Sequence, residues 1–346
     1  MPSHTGIINR SPFPVHDSGR LILGAFFAVR LTEKNLALPL PTERPVPVWQ
    51  EGVEQRIRVG LLSSQAIFPL PWGPRHSLSA GISPAEFSMR ACRFLLVFLL
   101  LASSCGARAA DSILVVSVDA LHPAALSAHT SPLLHELMQS GQFTLNGRSV
   151  APPMTLVAHT AMMTGLSPKQ NGKRDNDWQP GEPGVARKTL FDDALRAGYR
   201  TAFYYSKPKL GYLVNEAVGE KGLAPHDGIE RVRNFFRGAG KRFAFLHISG
   251  LEWAGVESGW LSQDYHDELT QIDASLAPLF REVEKRGTFV IMVTSDHAGH
   301  ERQHGTRHPE DFKLPLIIGG NVRLPRLPKG QWPVTGLRTL VRSLAK

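Results

Sequence analysis

A chain of 346 residues with 42% hydrophobic content can bury one large core or two ordinary ones, which excludes a disordered or fibrous class. The net charge of +9 would suit an anionic partner, but residues 1–110 carry 11 Lys and Arg against 6 Asp and Glu, leaving only +4 beyond them. No Lys/Arg run with interleaved aromatics follows, so the chain is read as having no nucleic-acid-binding module.

Residues 1–88 are rich in Pro, Arg and Ser, show no period of 3.6 or 2, and include "PLPTERPVPVWQ", which cannot be a helix interior. They are expected to be a non-native or disordered N-terminal extension. The stretch "MRACRFLLVFLLLASSCGARAADS" from Met89 then has the parts of a secretory signal peptide over 89–110. Arg90 and Arg93 supply the positive start, Phe94 to Ala102 the apolar run, and Ala107-Arg108-Ala109 a small-residue cleavage site. The run is too short to span a bilayer comfortably, so no transmembrane domain is expected after cleavage and the product is expected to be secreted or periplasmic. Lipoprotein anchoring through Cys105 in "LASSC" is the alternative. Cys92 and Cys105 both lie in the leader, so the remaining domain, 111–346, would depend on no disulfide.

From Asp111 onward apolar strands alternate with amphipathic helices. "SILVVSVDA" predicts a strand buried on both faces, "SPLLHELMQSG" a helix with a glycine stop, and "TLFDDALRAG" and "YRTAFYYS" a further helix and strand. "GIERVRNFFRGAG" and "RFAFLHIS" repeat that order, a long helix "DYHDELTQIDASLAPLFREVEKRG" precedes the strand "TFVIMVTSD", and "KLPLIIGG" adds a last strand. The pattern predicts an α/β fold, a mostly parallel sheet between two layers of helices.

Such sheets bind ligands at the carboxyl ends of their strands. Asp119 follows the first strand, Glu252 lies just after "FAFLHIS", and Asp296 and His297 follow "FVIMVTS", with the histidine-rich loop "DHAGHERQHGTRHPED" behind them. Aspartate and histidine are ligand types for a divalent transition metal, zinc or manganese. Thr155, in "SVAPPMTLVAHTAMMTG", stands at a predicted helix start. Its hydroxyl either caps that helix or, placed against a metal, loses its proton and attacks an electrophile. The helix N-terminus there is a suitable seat for a tetrahedral anion.

The order "VVSVDA", "PPMTLVAHTAMMTGLSPKQNG", "GLEWAGVESGW" and "TSDHAGHERQHGT" resembles the alkaline phosphatase superfamily, and more closely its type I phosphodiesterase/nucleotide pyrophosphatase branch. The resemblance covers roughly Ser112 to Gly320 and implies a three-layer α/β/α alkaline-phosphatase-like core. It further implies that Asp119, Asp296 and His297 hold one metal facing the nucleophile Thr155, that Glu252 and His304 belong to a second metal, and that catalysis proceeds through a phospho-threonine intermediate. The expected substrate is a small phosphate ester.

Several positions depart from the family's pattern. Its Asp-x-x-Gly-His motif is here Glu252 to Val256, so one metal donor is altered and one lost, and Glu257 is read as a solvated charge. Ala158 stands where an anion-binding asparagine is expected, and Asn171 in a turn where relatives carry histidine. His159 is read as a packed helix histidine, His300 and His308 as loop histidines, and Lys207 and Lys209 as surface lysines ahead of cleft lysines. Two further readings therefore accompany the hydrolase: a one-metal phosphoryl-group transferase, and a catalytically decayed homologue that binds an anionic ligand. A sulfatase is disfavoured because "MTLVAH" lacks the Cys or Ser nucleophile and the x-Pro-x-Arg pattern.

Overall fold

The computed structural model describes residues 109–346. In chain order its strands are β1 (Ser112–Val118), β2 (Gln142–Arg148), β3 (Arg200–Tyr205), β4 (Glu220–Leu223), β5 (Arg242–Ile248), β6 (Phe289–Thr294), β7 (Lys313–Gly320) and β8 (Trp332–Pro333). They form one sheet in the order β4-β3-β5-β1-β6-β7-β2-β8. β4, β3, β5, β1 and β6 run parallel to one another, while β7 is antiparallel to both β6 and β2. β1 is thus central, and its mostly apolar sequence follows from being covered on both faces.

The helices are α1 (Pro132–Ser140), α2 (Thr155–Thr164), α3 (Pro168–Asn171), α4 (Leu190–Arg196), α5 (Gly228–Phe236), α6 (Gly250–Ser258), α7 (Gln263–Glu284) and α8 (Leu337–Leu344). They pack as two layers because side chains alternate along each strand. Ile113 and Val115 of β1 join a core with Leu156, Met162, Phe191, Leu337 and Val341, from α2, α4 and α8. Leu114, Val116 and Val118 join a second core with Leu134, Val232, Phe236, Leu269 and Leu276, from α1, α5 and α7. The expected three-layer α/β/α architecture is what forms.

Local chemistry sets the helix ends. Thr189 and Asp192 make a reciprocal capping box at the start of α4. The buried Asp273 of α7 accepts from the backbone N–H groups of Leu133 and Leu134, both at 2.9 Å, and so caps α1 across the layer. Asn171 serves the turn it was expected to serve: its side chain donates to the Leu166 carbonyl and accepts from the Lys173 N–H.

The leader read over 89–110, with Cys92 and Cys105, and the extension 1–88 lie outside the described residues apart from Ala109 and Ala110. Ala110 is fully buried, donates to the Leu344 carbonyl at 3.3 Å and accepts a hydrogen bond from the Tyr199 hydroxyl. Among the described residues no helix is long and apolar enough to cross a membrane.

Candidate active site

The carboxyl ends of β1, β3, β5 and β6 deliver the site. Immediately after β1, Asp119 is fully buried, and the chain reverses at Ala120, whose φ of 64° lies in the left-handed region. That conformation costs a non-glycine residue about 1–2 kcal/mol. It is held from three sides: the Ala120 N–H donates to Asp296 Oδ1 at 3.1 Å, and the Ala120 carbonyl accepts from the Tyr265 hydroxyl at 2.7 Å and the Trp260 indole at 3.4 Å. The reversal is thereby locked to the residues that follow β6.

Asp296 and His297 are also fully buried. His297 Nδ1 lies 2.9 Å from the Ala298 carbonyl, to which it donates, so Nε2 is turned inward. Nε2 stands 3.5 Å from Asp119 Oδ1 and 3.5 Å from Asp296 Oδ2. All three of these atoms are buried without a hydrogen-bond partner. Buried polar atoms are rarely left so, and three converging donors of this chemistry fit a divalent cation. Burial opposes the charged form of His297, but Asp296 and Asp119 prevail and draw its pKa up.

Thr155 is the first residue of α2, and the structure excludes its reading as the cap. Met154 occupies the N-cap position without a side-chain cap, and the Thr155 hydroxyl instead accepts from Lys207 Nζ at 3.2 Å. Thr155 is 1% exposed, and its hydroxyl faces the interior of the site. Beside it, Asn176 accepts the Leu156 N–H at 2.8 Å, which ties a carboxamide to the helix start. Ala158, where the sequence lacks the expected amide, is buried in the helix, and Asn176 has no signal in the sequence beyond its type.

Lys207, just beyond β3, is likewise no surface residue, its side chain being 13% exposed. Its ammonium lies 2.6 Å from Asp119 Oδ2 and is paired with Glu252 Oε2. Burial disfavours its charge, but Asp119 and Glu252 outweigh burial and raise its pKa. The converse holds at Asp119: burial is outweighed by Lys207 and by the His247 hydrogen bond, which keep the carboxyl well below the usual range. His247 on β5 donates from Nε2 to Asp119 Oδ2 at 3.0 Å and accepts at Nδ1 from the Ser206 hydroxyl at 2.8 Å. Sequence reasoning passed over this histidine because "FAFLHIS" reads as an ordinary strand.

Glu252, in the first turn of α6, reaches His304 Nε2 at 3.3 Å with its other oxygen. His304 stacks on His297 with ring centroids 4.7 Å apart, and burial chiefly lowers its pKa to about 4. Glu252, His297 and His304 thus form a second donor group sharing His297 with the first. Val256 and Glu257 of α6 are exposed. His300 and His308 stand apart, stacked on each other at 3.9 Å, with His300 Nδ1 2.7 Å from the buried Asp311. His159 is the packed histidine expected: it is buried, held by Ser117 Oγ at 2.9 Å and by the Thr155 carbonyl at 2.8 Å, and burial lowers its pKa to about 4.

Residues 113–311 match the family described as type I phosphodiesterase / nucleotide pyrophosphatase. No curated protein matches the chain. Among solved structures, a 2-O GAG sulfatase superposes with a TM-score of 0.56 at 10% identity over 69% of this chain and 71% of its own. Murine ectonucleotide pyrophosphatase / phosphodiesterase 5 does so with 0.54 at 13% identity, over 67% of this chain and 94% of its own. That murine protein has also been solved as an inactive threonine-to-alanine form in complex with AMP. The C-terminal periplasmic domain of EcEptC from Escherichia coli, in complex with Zn, gives 0.51 at 12% identity, over 70% and 83%. At these identities the likeness is one of fold, and the shared fold is that of the alkaline phosphatase superfamily.

Proposed function

Because the chain belongs to the type I phosphodiesterase / nucleotide pyrophosphatase family, we propose that it is an exported, metal-dependent phosphoric ester hydrolase, a phosphodiesterase or phosphatase acting on a small phosphate ester, with Thr155 as nucleophile. The observation that carries this reading is the convergence of three buried, unpartnered donor atoms, Asp119 Oδ1, Asp296 Oδ2 and His297 Nε2, beside a threonine whose hydroxyl does not cap its helix. The inactive threonine-to-alanine form of the murine neighbour and the Zn complex of EcEptC support the same assignment of roles.

Asp119, Asp296 and His297 would hold the cation next to Thr155, and manganese or zinc suits that donor set. A bound divalent ion lowers the pKa of an adjacent hydroxyl and screens charge on a phosphoryl oxygen. With its proton released to solvent, Thr155 Oγ1 attacks phosphorus: the O–P bond forms, the bond to the leaving oxygen breaks, and that oxygen takes a proton from water. The resulting phospho-threonine is cleared when a water oxygen bonds to phosphorus and the Thr155 O–P bond breaks, so the net change is monoester plus water to alcohol plus phosphate, or diester plus water to alcohol plus phosphomonoester. The positive end of the α2 dipole favours the anion, the Leu156 N–H itself being held by Asn176. The Lys207 ammonium, already donating to Thr155 Oγ1, stabilises the charge that develops there.

The test is hydrolysis of a chromogenic phosphodiester and of the corresponding monoester with added zinc or manganese. Turnover is expected to depend on the metal and to fall by about 10³-fold or more in Thr155→Ala. A substituted protein as active as the wild type would remove Thr155 from the reaction. An absence of turnover in both, with every metal and ester, would leave a transferase or a non-catalytic homologue.

A further inference from the structure

Resting on that reading of the site, we infer that Lys207 takes the place of a second metal ion, so that the centre works with a single divalent cation and a fixed ammonium. An ammonium has three N–H donors. Those of Lys207 have three acceptors in the site: Asp119 Oδ2 at 2.6 Å, Thr155 Oγ1 at 3.2 Å, and Glu252 Oε2. These are a carboxylate on the β1 side, a carboxylate on the α6 side and the nucleophile. Lys207 Nζ thus ties all three groups together with one positive charge.

The second donor group does not make an independent site. It comprises Glu252, His297 and His304, but His297 Nε2 is the same atom that faces Asp119 Oδ1 and Asp296 Oδ2 in the first group. One nitrogen lone pair serves one ion. Without His297, Glu252 and His304 remain, and a closed or catalytic zinc site takes three or four protein donors. One turn beyond Glu252, on the same face of α6, stands Val256, which has no donor atom. Both Glu252 oxygens are moreover engaged, one by Lys207 and the other by His304 Nε2 at 3.3 Å. A divalent ion placed here would also be pressed against a buried ammonium of like sign. Lys207 therefore supplies the positive charge, and the exclusion of a competing ion follows from the same placement.

The inference is read by counting ions, without reference to turnover. The full chain, equilibrated with excess zinc, freed of unbound metal and measured by plasma mass spectrometry, is expected to hold one zinc per chain beyond any that His300→Ala removes from the separate His300, His308 and Asp311 group, and that zinc is lost in Asp296→Asn and kept in Glu252→Gln. Combining Lys207→Ala with Val256→His removes the ammonium and restores a donor one turn from Glu252, and is expected to raise the content to two. Two zinc ions in the wild type, one of them lost in Glu252→Gln, would overturn the inference while leaving the proposed hydrolase intact. A folded double variant that still holds one would overturn it as well. A wild type that holds none would overturn it together with the proposed function. Should the double variant not fold, the wild-type and Glu252→Gln counts decide alone. In parallel, Lys207→Ala is expected to lower kcat/KM about 100-fold or more at saturating zinc, with Lys207→Arg losing less, because a donor to the developing charge is gone.

Discussion

His159 shows how a single side chain ties the site to pH. It sits under Thr155 with Ser117 Oγ on one nitrogen and the Thr155 carbonyl on the other, and burial holds it neutral down to about pH 4. In the unfolded chain it would take up a proton near 6.5, so between those values the unfolded state binds more protons. Its contribution is fully present above the unfolded pKa and is lost as pH falls through the folded one. Urea denaturation of the metal-free protein at pH 7 and pH 4.5 is expected to show His159→Gln losing less stability over that interval than the wild type, by roughly 2 kcal/mol. At this scale the sequence was half legible. Asp119, Asp296 and His297 announce themselves at strand ends, but Lys207 in "YSKPKLGY" looks like any lysine, because its partners come from β1, α2 and α6 and only the folded chain brings them within reach. Asn176 and His247 were illegible for the same reason.

Elements were legible where burial is complete and obscure where it is partial. β1, β5 and β6 are mostly apolar because helices cover both faces. β2, "QFTLNGR", and β4, "EKGL", lie toward the sheet margins with mostly exposed side chains, so neither composition nor alternation marks them. The docking of α1 is equally invisible in sequence, since its N-terminus is satisfied by Asp273 from another helix. Replacing that carboxylate by alanine leaves two N–H groups unpaired beneath the packed layer. Asp273→Ala is expected to cost about 1–3 kcal/mol in chemical denaturation, with Asp273→Asn recovering only part because one oxygen becomes a donor facing a donor.

At the scale of the molecule the fold begins earlier than composition suggests. Ala110 is buried, hydrogen-bonded to Leu344 and in receipt of the Tyr199 hydroxyl, so it belongs to the core that joins β1 to α8. A chain starting at Asp111 strands that hydroxyl, and is expected to be less stable than one starting at Ala109 by about 1–3 kcal/mol in urea denaturation. The three-layer arrangement itself was readable from the alternation of strand and helix; the reversal of direction at β7 was not, because an apolar strand carries no mark of its polarity. The central place of β1 has a kinetic meaning. Its backbone is paired on both sides, to β5 and β6, and its side chains are buried in both layers, so it belongs to the part of a protein that opens only when the whole opens. Asp119 hangs from the end of that strand. Heat inactivation and global unfolding should accordingly be one event, with no partly unravelled form in which the sheet persists and the centre has already come apart.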